Sequence, residues 1–222
     1  RRADQIAKKI REKFPSNSSE EERLRILVFQ LFEEMGFHGS TLDYHHRSNS
    51  YMNEVMDDRE GLPITLSILF IELANRLEIP VSGVGLPGHF IAMYRESPKQ
   101  MKKKQSSPKE ILIDAFGGKI IDKREAAQIT GIRLNELDFK PTPQKEIITR
   151  MLRNLIQSAD HDQDQRAKLR YIDAILAISP EDRFTRVMRT MIHYGNGNFN
   201  QALKDIDILL QKEPESLENG PL

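Results

Sequence analysis

The chain has 222 residues, of which 38% are hydrophobic and 30% charged, and this composition is typical of a folded globular protein. Lysine plus arginine and aspartate plus glutamate each number 33, so no net charge draws the chain to nucleic acid or to an anionic membrane. The sequence has no cysteine, which excludes disulfides, thiolate metal sites and a cysteine nucleophile.

The first third of the chain predicts three helices. Apolar residues at helical spacing over 2–14 predict an amphipathic helix that ends before a Pro/Ser segment. Ser19 and Glu22 have the spacing of a capping box, and an apolar stripe over 24–35 predicts a second helix. A third, short helix is predicted over 51–56, after a loop rich in glycine, histidine and aspartate.

The central helix is the most apolar segment. Pro63 lies in its first turn, where the missing N–H costs no hydrogen bond. Residues 64–77 are apolar on nearly every face, which predicts a helix buried all round. The run is interrupted by Glu72 and is too short to cross a bilayer, so we expect no membrane insertion.

From residue 79 the pattern changes to short β-type runs separated by glycine and proline: VSGVGL, HFIAMY, ILIDAF and KIID. These runs predict a small sheet over 79–122. The polar Pro/Ser/Lys segment 97–109 is expected to be a hairpin connection with a solvated, mobile tip. A short helix over 122–130 and a KPTP linker at 140–143 follow.

The C-terminal part is helical and has a repeat period. Pro180 and Pro214 are 34 residues apart, and the residues between them have the offsets of the second helix of a tetratricopeptide repeat. The preceding stretch repeats the pattern less regularly. We therefore predict two repeat-like helix pairs over 144–214, docked on an N-terminal domain of residues 1–139 and followed by a tail at 215–222.

Several motifs in order carry a family resemblance. The stretch GLPITLSILFIELANRLEIPVSGVGLPGHFIAMY, followed by ILIDAFGGKIID, resembles the transglutaminase-like core of the bacterial invasion-regulator type, a family that often ends in tetratricopeptide repeats. The resemblance covers about 20–125, and RMLRNL at 150–155 resembles the family's tail. It implies an α+β fold with papain/transglutaminase-like helices on a small antiparallel sheet, then an all-α tetratricopeptide-like array.

The resemblance also implies a site. His89 matches the family's histidine, Asp114 matches its carboxylate, and the nucleophile position falls at or next to Pro63. In active enzymes of the wider superfamily, a cysteine at a helix N-terminus is activated by the imidazole, whose tautomer the carboxylate fixes. Proline at this position departs from that pattern, which predicts a pseudoenzyme without thiol chemistry.

Two hydroxyls are candidates for a substitute nucleophile. Thr65 and Ser67 lie in the first turns of the central helix, and a hydroxyl beside a histidine could serve a hydrolase or an acyl or amide transferase. A Ser or Thr early in a helix is more often a cap or a core hydroxyl. There are likewise two interpretations of His89. It forms a structural hydrogen bond to Asp114, or it forms with Asp114 a pair that binds a peptide amide or carboxylate.

The leading functional hypothesis is a non-catalytic protein-interaction, assembly or regulatory module. Its peptide-binding surface is expected on the helical repeats, and the basic excess there predicts a protein or peptide partner of acidic character. The candidate residues are Arg150, Arg153, Asn154, Arg186, Arg189 and His193. Alternatively, half of these residues lie on solvated helix faces and have no binding role.

No metal is expected, because His45 and His46 are adjacent and His161 and His193 lack partners at ligand spacing. No cofactor is expected either. No nucleic-acid partner is expected. The chain begins at Arg1 without an initiator methionine, which is compatible with a removed targeting segment. We expect a soluble protein of the cytoplasm or an organellar matrix, and the sequence leaves that choice open.

Overall fold

A computed structural model describes residues 2–98 and 107–211, and in it the chain forms two compact units. The first unit extends to Ile147 and the second begins at Ile148, so the division falls within one long helix. The fold is α+β, as predicted, with helices and a small sheet in the first unit and helices in the second. The Lys102–Lys104 run, Pro214 and the 215–222 tail lie outside the described residues.

Six helical segments precede the sheet. They are α1 (Arg2–Arg11), α2 (Glu20–Val28), a π-helix (Phe29–Glu34), a 3-10 helix (Arg47–Ser50), α3 (Met52–Asp58) and α4 (Pro63–Arg76). The capping box is confirmed, since the Glu22 N–H donates to Ser19 Oγ at 3.3 Å and the Ser19 N–H to Glu22 Oε2 at 2.8 Å. The predicted second helix changes to π-helical geometry for its last six residues, which apolar periodicity does not reveal.

Helix α4 forms the centre of the first core. Its first five residues are all buried, and Leu66, Phe70 and Leu73 are each 0% exposed. The prediction of burial on every side is wrong for its last turns, where Glu72 and Asn75 are exposed. The helix is therefore buried all round at its N-terminal end and amphipathic at its C-terminal end.

The predicted strands form one four-stranded antiparallel sheet in which neighbours follow chain order. The strands are β3 (Val81–Leu86), β4 (His89–Arg95), β5 (Glu110–Asp114) and β6 (Lys119–Ile121). One sheet face packs with α4 in the main core. The other face packs with Ala126 of α5 (Lys123–Thr130) and Phe139 of a 3-10 helix (Glu136–Phe139). The sheet is thus covered on both faces.

A two-residue parallel ladder was not predicted. Strand β1 (His38–Gly39) pairs with β2 (Glu60–Gly61), immediately before α4. The Gly39 N–H also donates to the Phe116 carbonyl at 3.2 Å. This short ladder therefore connects the start of α4 with the turn that follows β5.

The second unit contains most of α6 (Gln144–His161), then α7 (Gln165–Ile178), α8 (Arg183–Gly195) and α9 (Phe199–Gln211). Its core is small. Ile156, Ile172, Ile175 and Leu176 are buried together, and Met188 and Ile192 of α8 pack against them. Helix α9 adds Ala202 and Asp205 as buried residues.

Candidate functional site

The predicted histidine and carboxylate meet. His89 is the first residue of β4 and Asp114 the last of β5, and antiparallel pairing brings these ends together. The distance from His89 Nε2 to Asp114 Oδ1 is 2.9 Å, and the two residues are only 9% and 4% exposed. Because a carboxylate accepts, Nε2 carries the proton in this pair.

Backbone amides complete the environment of Asp114. The Phe116 N–H donates to Asp114 Oδ1 at 3.2 Å, and the Gly117 amide also stabilises the carboxylate. Burial raises the pKa of Asp114, but hydrogen bonding and charge from His89 together with these amides outweigh it, so the pKa lies below its ordinary value. A Cβ on Gly117 would lie 2.6 Å from Asp114 Oδ2, so the turn needs glycine here.

The ring of Phe116 lies beside the imidazole. The Phe116 ring lies edge-on to His89, with centroids 6.2 Å apart, and Tyr44 contacts Phe116 at the same separation. A Cβ on Gly39 would lie 2.5 Å from the Phe116 ring, so this glycine lets the ring approach. Sequence reasoning missed Gly39, Tyr44 and Phe116. The one available signal was the aromatic residue two positions after Asp114.

Pro63 occupies the first position of α4 and is buried. It offers neither a nucleophilic atom nor an N–H. The Thr65 hydroxyl is engaged by the backbone, since it accepts the Leu62 N–H at 2.9 Å and lies 2.8 Å from the Asn49 carbonyl and 3.2 Å from that of Leu62. Thr65 thus caps the start of α4, which is the ordinary role of such a hydroxyl.

Ser67 is hydrogen-bonded to the strand that begins with His89. Its hydroxyl donates to the Phe90 carbonyl at 3.2 Å, and the side chain is 0% exposed. This bond joins the second turn of α4 to the residue after His89. The structure therefore brings His89 and Asp114 together and directs both candidate hydroxyls to backbone carbonyls.

Two of the predicted peptide-binding arginines form internal ion pairs. Arg186 is 7% exposed, and its Nη1 donates to Asp205 Oδ1 at 3.0 Å. Arg189 makes two hydrogen bonds to Asp205, of 2.8 and 2.6 Å, and a third to Asp173. Burial raises the pKa of Asp205, but the two guanidinium groups outweigh it and hold the pKa below its ordinary value. These arginines fasten α8 to α9 and α7.

The remaining candidates are dispersed along α6 and α8. Arg153 pairs with Asp182, which caps α8 by accepting the Thr185 N–H at 2.9 Å. Arg150 and Asn154 are half-buried on α6. The Nδ1 atom of His193 is buried and has no hydrogen-bond partner in the described part of the chain.

Several large apolar side chains of the last helix pair are exposed. On α8 they are Phe184 (72% exposed), Val187, Met191 (68%) and Tyr194 (69%). Their spacing of three and four residues puts them in one stripe along the helix, which we call the α8 stripe. Helix α9 carries a second stripe of Phe199, Leu203, Ile206 and Leu210. The Tyr194 and Phe199 rings contact each other, with centroids 5.7 Å apart.

Among residues 2–98 and 107–211, no group of three histidine, aspartate or glutamate side chains is arranged to hold a metal ion. No helix within the same residues is long and apolar enough to cross a membrane.

A family model described as the transglutaminase-like superfamily matches residues 1–153. The chain belongs to the transglutaminase-like superfamily. It is 31% identical over 202 residues to a UPF0162 protein of Xylella fastidiosa, covering 84% of this chain and 66% of that protein. It is 24% identical over 203 residues to protein SirB1 of Salmonella typhimurium, covering 89% and 72%.

A further relative is F-box only protein 21 of Mus musculus, 26% identical over 195 residues, with 84% of this chain but only 31% of that protein covered. The chain thus spans about two thirds of the Xylella relative and about a third of the F-box protein. No solved structure matches the chain.

Proposed function

We propose that this protein is a non-catalytic member of the transglutaminase-like superfamily that acts as a protein-interaction or assembly module. One observation carries the proposal. Proline stands where α4 would present a nucleophile, and the Thr65 and Ser67 hydroxyls are bound to backbone carbonyls. With no activated nucleophile, the His89–Asp114 pair has a structural role, holding the ends of β4 and β5 together.

The interaction surface that we propose is the α8 stripe, within helices that we interpret as a tetratricopeptide-like array. Soluble proteins rarely expose contiguous apolar surface unless it binds something. The a/d-like spacing of the stripe suits an amphipathic helix of a partner protein, whose apolar side chains would pack between Phe184, Val187 and Met191. The partner is thus recognised by apolar anchors, because the arginines that suggested an acidic peptide are paired with Asp205 and Asp173.

The relatives support the interpretation that the segment matched by this chain is a module that occurs in proteins of different length. In F-box only protein 21 the corresponding segment is about a third of the protein, so it occurs there beside other segments. The match to SirB1 covers most of that protein, so the region also forms the bulk of a smaller one.

Photo-crosslinking tests the interaction surface. A benzophenone amino acid at Met191 should crosslink a defined protein in native extract, and the same group at Lys204, an exposed polar position on α9, should not. With that partner purified, Phe184→Ser plus Met191→Ser should weaken binding at least about tenfold, because two exposed anchors are lost. Lys204→Ser is the matched control. Equal crosslinking at both positions, or unchanged affinity of the double variant, would contradict this surface.

A hydrolase or acyl or amide transferase that uses Thr65 or Ser67 is the second candidate, favoured by the intact His89–Asp114 pair. Labelling with a fluorophosphonate or an activated acyl ester distinguishes it. The non-catalytic proposal expects no label on residues 63–67. A label on Thr65 or Ser67 that disappears in His89→Ala would establish the enzyme instead.

A further inference from the structure

A cavity of about 310 Å³ lies in the first unit, between α1, the end of the π-helix and the end of α3. Its volume is at the lower end of the range for small-molecule sites, roughly 300 to 1,000 Å³. Neither His89 nor Asp114 lines it. The cavity is therefore a separate feature of the transglutaminase-like unit.

Half of the residues that line the cavity are apolar, and Gln5 is a neutral polar residue among the others. Ile6, Met35, Phe37 and Met56 line it, and all four belong to or pack against the main core of the unit. Phe37 is only 4% exposed, so the interior end of the cavity is fixed by the fold. This apolar part of the wall suits an aliphatic or similar apolar group.

The rim of the cavity is cationic. Arg2, Lys9 and Arg59 line it, and of these Arg2 is paired with Asp57. Lys9 and Arg59 form no ion pair with any carboxylate in the described residues. Two positive charges at the mouth of an apolar cavity are therefore left without an internal counter-charge, and an anion would satisfy both.

The backbone at this rim is unusual in two ways. Arg59 has φ 59° and ψ 23° at the C-terminal cap of α3, where the left-handed conformation favours glycine. Its guanidinium donates to the carbonyl of Met35, at 2.9 Å, where the π-helix ends. Arg59 thus adopts a backbone conformation that is unfavourable for arginine, with its side chain at the rim. The π-helix beside it is also of a kind that occurs often at functional sites.

We propose that this cavity binds a carboxylate carried on a short apolar group, with Lys9 and Arg59 holding the carboxylate and the apolar group lying against Phe37 and Met56. A small aliphatic acid and a peptide C-terminus with an apolar last residue both present this chemistry. The site is independent of the α8 stripe and of the interaction proposed for it.

Titration of the ¹⁵N-labelled full chain with octanoate, followed by amide chemical shifts, tests the proposal. We expect saturable shifts at Ile6, Phe37 and Arg59. Octanamide, which has the same chain without the charge, should bind about tenfold more weakly, because one charge-assisted contact is worth about that factor. An N-acetyl dipeptide ending in leucine, as free acid and as amide, supplies the second source of the same chemistry.

Variants identify the residues. Lys9→Gln should weaken octanoate binding about tenfold, whereas Lys8→Gln, one residue away on α1 and outside the cavity, should leave it unchanged. Arg59→Gly removes the second cation and at the same time relieves the left-handed arginine, so lost binding with retained folding supports the proposal. If only the free-acid peptide binds, the ligand is a chain terminus. The proposal would be overturned if neither acid bound, if acid and amide bound equally, or if Lys9→Gln left the shifts caused by octanoate unchanged.

Discussion

The first unit and the α8–α9 pair differ in the side chains that they bury. In the first, large apolar side chains such as Phe70 and Phe90 are fully buried, and the buried polar pair His89–Asp114 is satisfied by hydrogen bonds. In the α8–α9 pair, Arg186 and Asp205 are buried while Phe184 and Met191 are about 70% exposed. The last helix pair is joined by an internal ion network and exposes several of its large apolar side chains.

This contrast shows which apolar side chains the described part of the chain leaves unpacked. A helix pair that relied on apolar packing would turn its largest side chains inward, as α4 does. Helices α8 and α9 instead meet through charged groups, and this leaves their apolar stripes exposed in the described part of the chain. Single substitutions in each unit should weaken one side of this comparison without changing the other.

Asp205→Ala should break the ion network of the second unit. Two guanidinium groups would lose their main counter-charge, and removing one partner of a buried pair costs about 3 to 5 kcal/mol. Urea denaturation with hydrogen exchange should show α8 and α9 opening first. Asp207→Ala, at an exposed position on the same helix, should change stability by no more than about 0.5 kcal/mol. Equal effects of the two variants would mean that the network does not hold the pair.

Asp114→Asn should destabilise the first unit by about 1 to 3 kcal/mol at pH 7, because a buried charge-assisted hydrogen bond to His89 is weakened. The pKa of Asp114 is lowered in the folded protein, so its contribution is full above the ordinary carboxyl pKa of about 3.9 and is lost as the pH falls through the lower folded value. Unfolding free energies measured from pH 7 to pH 2 should therefore show the gap between the two proteins shrinking below about pH 4. A gap independent of pH would contradict the ionised pair.

Thr65→Val should cost about 1 to 2 kcal/mol, since a buried helix-capping hydroxyl is replaced by a methyl group of similar shape. Ser67→Ala removes a single hydrogen bond to the Phe90 carbonyl and should cost about 0.5 to 1.5 kcal/mol. Thermal or urea unfolding measures both. If Thr65→Val left stability unchanged, the hydroxyl would be free for another role, and the enzymatic alternative would gain support.

Local patterns were sufficient for much of the fold. The capping box at Ser19, the proline at the first position of α4 and the alternating strands were readable because each depends on neighbours a few residues away. The π-helix over Phe29–Glu34 and the ladder between β1 and β2 were not, since a hydrogen-bond shift or a two-residue contact leaves no periodic trace. The need for glycine beside the Phe116 ring and beside the Asp114 carboxylate follows only from the positions of those two side chains in the fold.

The sequence by itself determined that no cysteine nucleophile exists and that His89 and Asp114 begin and end strand-like runs, because residue identity and alternation are local properties. Only the tertiary structure decided that Thr65 and Ser67 bind backbone carbonyls and that Arg186 and Arg189 neutralise Asp205. The reason is physical. Partners of a hydroxyl or a guanidinium lie 16 to 23 residues away along the chain, and packing alone selects which groups meet there.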